Sequence, residues 1–171
     1  MRTSRNVYRR FIEFEERAAR IYVQLASHFA PRNPPLAAFW LQMAMEEKQH
    51  AGLLQFCSEE GMLIEDLPRE TEIGKFEKLF RGLEKHAGDP GMNVNRAFEL
   101  AVALEGSEVS AIYYHLTTPL HVSSYLLKRK IVTSPTSQLS ELASAGRKFG
   151  ASANTVKKLE RLKEHCPTTF L

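Results

Sequence analysis

The sequence predicts an all-α protein: a four-helix bundle with a long crossover between helices two and three, forming a single domain over residues 1–171. Three observations predict it. Three segments carry apolar seams whose spacing alternates between three and four residues, the period of one helix face turned to a core. No segment alternates apolar and polar residues as a half-buried strand does. Clusters of Pro and Gly cut the chain into helix-length pieces that read as two hairpins joined by a long link.

Ser4 or Asn6 can cap a first helix that runs to about Phe29 or Ala30, where Pro31, Pro34 and Pro35 end it. Asn33-Pro34-Pro35 then starts helix two, because proline fits the first helical turn. Helix two runs to about Glu60 and stops at Gly61, and the short connection makes helices one and two an antiparallel hairpin. Residues 61–92 form the long link. It holds a short helix over Ile73–His86, bounded by Leu67-Pro68 and by Gly88-Asp89-Pro90-Gly91. Asn93 caps helix three, which runs to about Leu116 and can continue past Pro119 with a kink. Thr133-Ser134-Pro135-Thr136 reads as a further break, and Ser137 to about His165 as helix four. Gly146 and Gly150 weaken that last helix, each by about 1 kcal/mol against Ala. If it breaks there, Ser152 or Asn154 can restart it.

The seams themselves carry the chemistry. In helix two the stripe is Leu36, Trp40, Met43, Glu47, His50, Leu54, Cys57. A carboxylate and an imidazole occupy positions where Leu is expected. Burying an ionised Glu without a partner costs several kcal/mol. Glu at one position and His three residues on project from one side of a helix and can grip the same ion. Helix one repeats the irregularity: Tyr8, Phe11, Glu15, Ala18, Tyr22, Leu25, Phe29. Helix three repeats it again: Val94, Phe98, Ala101, Glu105, Glu108, Ile112. A lone Glu beside an apolar stripe is ordinarily a solvated flank, and a lone His a hydrogen-bonded core residue. Three seams interrupted by carboxylates, one with an added His, point instead to a shared polar site around a cation.

Composition sets the class. Apolar and charged fractions of 43% and 25% are those of a globular chain. No apolar run approaches the roughly 20 residues that span a bilayer, so no membrane partner is expected. The start is basic but lacks the apolar core of a signal peptide, and a cytoplasmic protein is expected. Cys57 and Cys166 are too few for a disulfide framework; Cys57 continues the helix-two seam as a small buried hydrophobe. The net charge of +3 is uneven, with Arg2, Arg5, Arg9 and Arg10 at one end and nine Lys/Arg against three Glu in residues 128–171. No nucleic-acid motif accompanies these charges, so they read as solvated helix faces and no nucleic-acid partner is expected.

These residues resemble the ferritin-like superfamily, and within it the rubrerythrin-like branch. The matching motifs are Glu15-x-x-Ala18-x-x-x-Tyr22, Ala44-x-x-Glu47-x-x-His50 and Glu105-x-x-Glu108-x-x-x-x-Tyr113. The resemblance covers most of residues 5–165. It implies a di-iron centre with one Glu from each of two helices and a Glu-x-x-His from each of the other two. Glu15, Glu47 and His50 would then hold one metal, and Glu105 or Glu108 would serve the second or move between the two. Tyr22 and Tyr113 would donate hydrogen bonds that orient the Glu ligands, or act as aromatic core fillers. In helix four, aligning Leu139-Ser140-Glu141-Leu142-Ala143 with the family's lead-in places the second Glu-x-x-His on Gly146-Arg147-Lys148-Phe149. Neither Gly146 nor Phe149 can ligate a metal, so the second half-site reads as dismantled unless a partner chain supplies it. In that reading Phe149 fills the former imidazole position, and Arg147 and Lys148 face solvent. His115, on the Glu108 face but about 10 Å further along the axis, reads as a core or channel residue.

Two functions follow as expectations. The first is a rubrerythrin-like metal-binding protein that holds iron, one or two ions, with Mn or Zn as alternatives. It would carry oxidase- or peroxidase-type chemistry on O2 or peroxide. Carboxylates suit that chemistry because they are hard oxygen donors that shift between bridging and terminal modes. The family's small rubredoxin module carries two Cys-x-x-Cys pairs, and this sequence has none, so an external electron donor is expected. Domain-swapped dimers in the family imply a homodimer. The second function is a degenerate ferritin-like module that acts as a non-catalytic interaction or regulatory protein through its basic C-terminal segment.

Overall fold

The computed structural model describes residues 4–61, 67–108 and 125–165, the side chains of Glu108, residues 125–136 and His165 excepted. All elements among the described residues are helices: α1 (Ser4–Phe29), α2 (Pro34–Glu59), α3 (Glu70–Ala87), α4 (Val94–Glu108), α5 (Tyr125–Phe149) and α6 (Ala153–His165). The all-α fold class is as expected. The chain divides into two compact units, Met1–Met92 and Asn93–Leu171.

In the first unit α1 and α2 form the expected hairpin. Asn33 makes the corner: its Oδ1 accepts from the Leu36 N–H at 3.2 Å, and its own N–H bonds back to Phe29 O at 2.7 Å. Pro34 and Pro35 occupy the first positions of α2, where no N–H is needed. At the far end Gly61, at φ 71°, takes the left-handed conformation that stops α2. Every residue of the α1 and α2 seams is buried. Antiparallel register sets Tyr22 against Trp40, their rings stacked with centroids 5.7 Å apart. Cys57 is buried as expected, and burial pushes its thiol up from the ordinary value, which keeps it unreactive.

The link carries α3, which starts three residues before the expected Ile73 because Glu72 accepts the Arg69 N–H at 2.7 Å and stabilises the first turn. It packs on α1. Phe14 stacks on Phe80 at 5.2 Å, and Arg17 forks onto Glu84 at 2.7 and 2.8 Å while reaching Glu77 at 2.9 Å. The guanidinium also lies over the Phe80 ring, 5.2 Å from its centroid. Its hydrogen bonds hold the Glu84 carboxyl below the ordinary carboxylate value.

In the second unit Asn93 caps α4 as expected, accepting the Arg96 N–H at 3.0 Å. The expected continuation to Leu116 and the kink at Pro119 lie outside the described residues, as do Cys166 and His115. Two expectations are corrected. Thr133–Thr136 is not a break, because α5 runs through it. Proline's fixed φ is itself helical, so Pro135 removes one N–H from the ladder without ending the helix. Conversely, helix four is not continuous from 137 to 165. Gly150 turns left-handed at φ 89°, and the Ala151 N–H bonds Gly146 O at 2.8 Å, a Schellman-type end. Ser152 then restarts the chain as α6, its Oγ accepting from the Thr155 N–H at 3.2 Å. The short turn folds α6 back on α5, fastened outside by Arg147 to Glu160. Asn95 of α4 accepts from Ser152 N–H and the Thr155 hydroxyl, which ties α4 to the α5–α6 turn and the start of α6.

Candidate metal centre

The α1–α2 register brings three of the expected site residues together. Glu15 stands midway along α1, seven residues before Tyr22; Glu47 stands seven residues after Trp40 on α2. Two helical turns below the stacked rings, the two carboxylates meet, and His50 joins them from the next turn of α2. His50 Nδ1 lies 3.2 Å from Glu47 Oε2 and 3.8 Å from Glu15 Oε2. One ligand atom from each of the three falls within 4.8 Å of the others. Relative exposures of 1% for Glu15, 0% for Glu47 and 7% for His50 place the group inside the hairpin rather than on its rim. Among the described residues this is the group of His, Cys, Asp or Glu side chains arranged to hold a metal ion.

The donor set fits a divalent transition metal. Two carboxylates and an imidazole mix hard oxygen with borderline nitrogen, a set that suits Fe, Mn or Zn. Three protein ligands leave coordination positions open, as sites that do chemistry require. The arrangement also gives a reason for the burial. Two carboxylates this close repel, and a cation between them offsets both the repulsion and the desolvation. On the outer edge of the same crossing, Lys48 Nζ pairs with Glu16 at 3.3 Å in solvent, the ordinary use of charge on a helix surface.

Tyr22 is fully buried and its ring stacks on Trp40. Tyr113 lies outside the described residues, and so does the Glu108 side chain. Glu105 is in the second unit. It is buried on α4, as its seam position requires, and Gln138 of α5 donates to its Oε1 through Nε2 at 3.3 Å.

That pair lies apart from Gly146–Phe149, the segment on which the resemblance places the second Glu-x-x-His. The empty Cα face of Gly146 lies against Val156 and Phe98; a Cβ there would stand 3.2 Å from Val156 Cγ2 and 3.6 Å from Phe98 Cδ1. Gly146 therefore packs closely against both helices, and a side chain there would have to displace Val156. Phe98 opposite Gly146 and Glu105 opposite Gln138 define one antiparallel register for α4 and α5. The residue that faces Glu105 is thus Gln138, eight residues and about 12 Å before Gly146. Phe149 is half-buried under Lys148, whose Nζ is 5.2 Å from the ring centroid, while Arg147 and Lys148 are exposed as expected. Gln138 was missed, although the signal existed: with Leu142 and Ala145 it forms a seam interrupted by a polar residue, the same irregularity that marks Glu15.

Residues 9–81 match the rubrerythrin family model. This segment comprises nearly all of α1, the whole of α2 and most of α3, and it is rubrerythrin-like in sequence. Glu15, Glu47 and His50 all lie within it; Glu105 and Gln138 lie beyond it. No curated protein and no solved structure matches the chain.

Proposed function

We propose that this chain, rubrerythrin-like over residues 9–81, is a metal-binding protein that holds a divalent transition metal through Glu15, Glu47 and His50. The observation that supports the reading most is the convergence of two carboxylates and an imidazole, all buried, with ligand atoms within 4.8 Å. Iron is the ion that the family implies, with Mn or Zn as alternatives. Bound iron would supply one-electron redox chemistry toward O2 or peroxide, with electrons from an external donor. The remaining roles belong to this chain's own side chains. Glu15 and Glu47 would balance the ion's charge from facing helices. His50 would fix the third direction. Tyr22 and Trp40 would exclude water from one side. In this reading the two units together make one ferritin-like domain in a cytoplasmic homodimer, and Glu108 and Tyr113 stay candidates for the same site.

Anaerobic loading with Fe(II), followed by elemental analysis of the desalted protein, tests the proposal. The expected result is metal bound to the wild-type chain and none in the double variant Glu47→Leu/His50→Leu, whose helical content is retained. Metal retained by the double variant would sink the assignment. No metal of any kind in the wild type would instead favour the interaction module.

A further inference from the structure

Glu105 is a third buried carboxylate, and the side chain that donates to it from α5 is not a metal ligand. Gln138 Nε2 donates to its Oε1 at 3.3 Å, from a side chain that is 1% exposed. A carboxylate only accepts hydrogen bonds, so the amide nitrogen faces it and the amide oxygen is turned elsewhere. An –NH2 group has no lone pair to offer a metal. It brings a partial positive charge to Glu105, as a cation would, but without the attraction for further anionic ligands. Glu141, one turn further along α5, is half-buried and accepts from Ser137 Oγ at 3.4 Å.

We infer that Gln138 limits the metal stoichiometry of this protein: its amide engages the Glu105 carboxylate where a ligating side chain would let the pair hold a cation. The inference rests on the proposed function for its first ion, but concerns only the increment above it. A carboxylate at position 138 would face Glu105 across the α4–α5 register, with Glu141 three residues on and on the same side of α5. Two buried carboxylates in that position repel and recruit a cation.

The test is equilibrium dialysis of the full chain against Co(II), read by elemental analysis, with far-UV circular dichroism as the check on folding. The wild type is expected to take up one Co(II) per chain, Gln138→Glu two, and Glu105→Gln one. A folded Gln138→Glu protein that stays at the wild-type count overturns the inference. So does a Glu105→Gln protein that loses one ion relative to wild type. If Gln138→Glu folds only when Co(II) is added and then holds one ion more than wild type, the inference stands. Should it fail to fold even then, the Glu105→Gln count decides alone. A wild type without Co(II) speaks against Glu15, Glu47 and His50, and the gain or absence of one ion in Gln138→Glu still decides the role of Gln138.

Discussion

Glu15 and Glu105 carry the same signature in the sequence, a carboxylate on an otherwise apolar helical seam, and the structure gives them different company. Glu15 meets a second carboxylate and an imidazole across the α1–α2 hairpin. Glu105 meets an amide across α4 and α5. The first set gathers negative charge in an arrangement that could hold a cation; the second includes a hydrogen bond from a neutral amide. A pattern of spacing therefore predicts that a polar side chain is buried, while the facing helix decides what it is for.

The difference is open to direct attack. The largest expected effect is ligand-linked stability. A divalent metal at a hundred times its dissociation constant should stabilise the wild type by about 2.7 kcal/mol. Thermal unfolding with and without Zn(II) should show that gain vanish in Glu15→Gln and persist in Glu105→Gln. Equal loss in both would mean that the two glutamates serve one ion. Next comes Gln138→Leu, which takes a donor from a buried carboxylate and should cost about 2 kcal/mol. In metal-free protein Glu15→Leu should cost nothing or raise the midpoint, because it removes a charge from beside Glu47. Urea denaturation of the two variants measures the contrast directly.

The corners of the two units give smaller effects of different origin. Asn33→Ala removes the cap of α2, and Gly150→Ala forces a side chain into the left-handed region; each should cost about 1 kcal/mol. If Gly150→Ala were neutral, the Schellman turn would not be what fixes the α5–α6 register. The smallest effect is on the acid limb. Hydrogen bonds from Arg17 lower the Glu84 pKa below its ordinary value of 4.5. A depressed carboxyl contributes stability above the ordinary value and loses it as the pH falls through the folded value. Wild-type stability should therefore fall more steeply than that of Glu84→Gln as the pH drops below about 4.5. The difference will be modest because Glu84 is 35% exposed.

Most of the first unit was legible in the sequence. Asn33-Pro34-Pro35 announced the corner, Gly61 the stop, and the two seams fixed which faces meet, hence Glu15, Glu47 and His50. Helical pitch turns spacing into proximity when only two helices and one short turn are involved. The second unit was harder for two physical reasons. Pro135 signalled a break that its helical φ does not require, and Gly150 marked the break that does occur. Register between α4 and α5 depends on close packing at Gly146. Spacing along either helix is silent about that register, so Gln138 could not be placed opposite Glu105 from the sequence.

Arg17 gives the crossover a property that chain length alone would not. Glu77 and Glu84 are two turns apart on α3, and one guanidinium reaches both. Two anchor points seven residues apart hold that stripe of α3 against α1, and the ring contacts of Phe14 with Phe76 and Phe80 oppose its roll. Within the first unit α3 is thus keyed along α1, and its key is ionic. High salt should loosen its roll before the α1–α2 hairpin yields, and the amides of α3 would be the first in the unit to exchange with solvent.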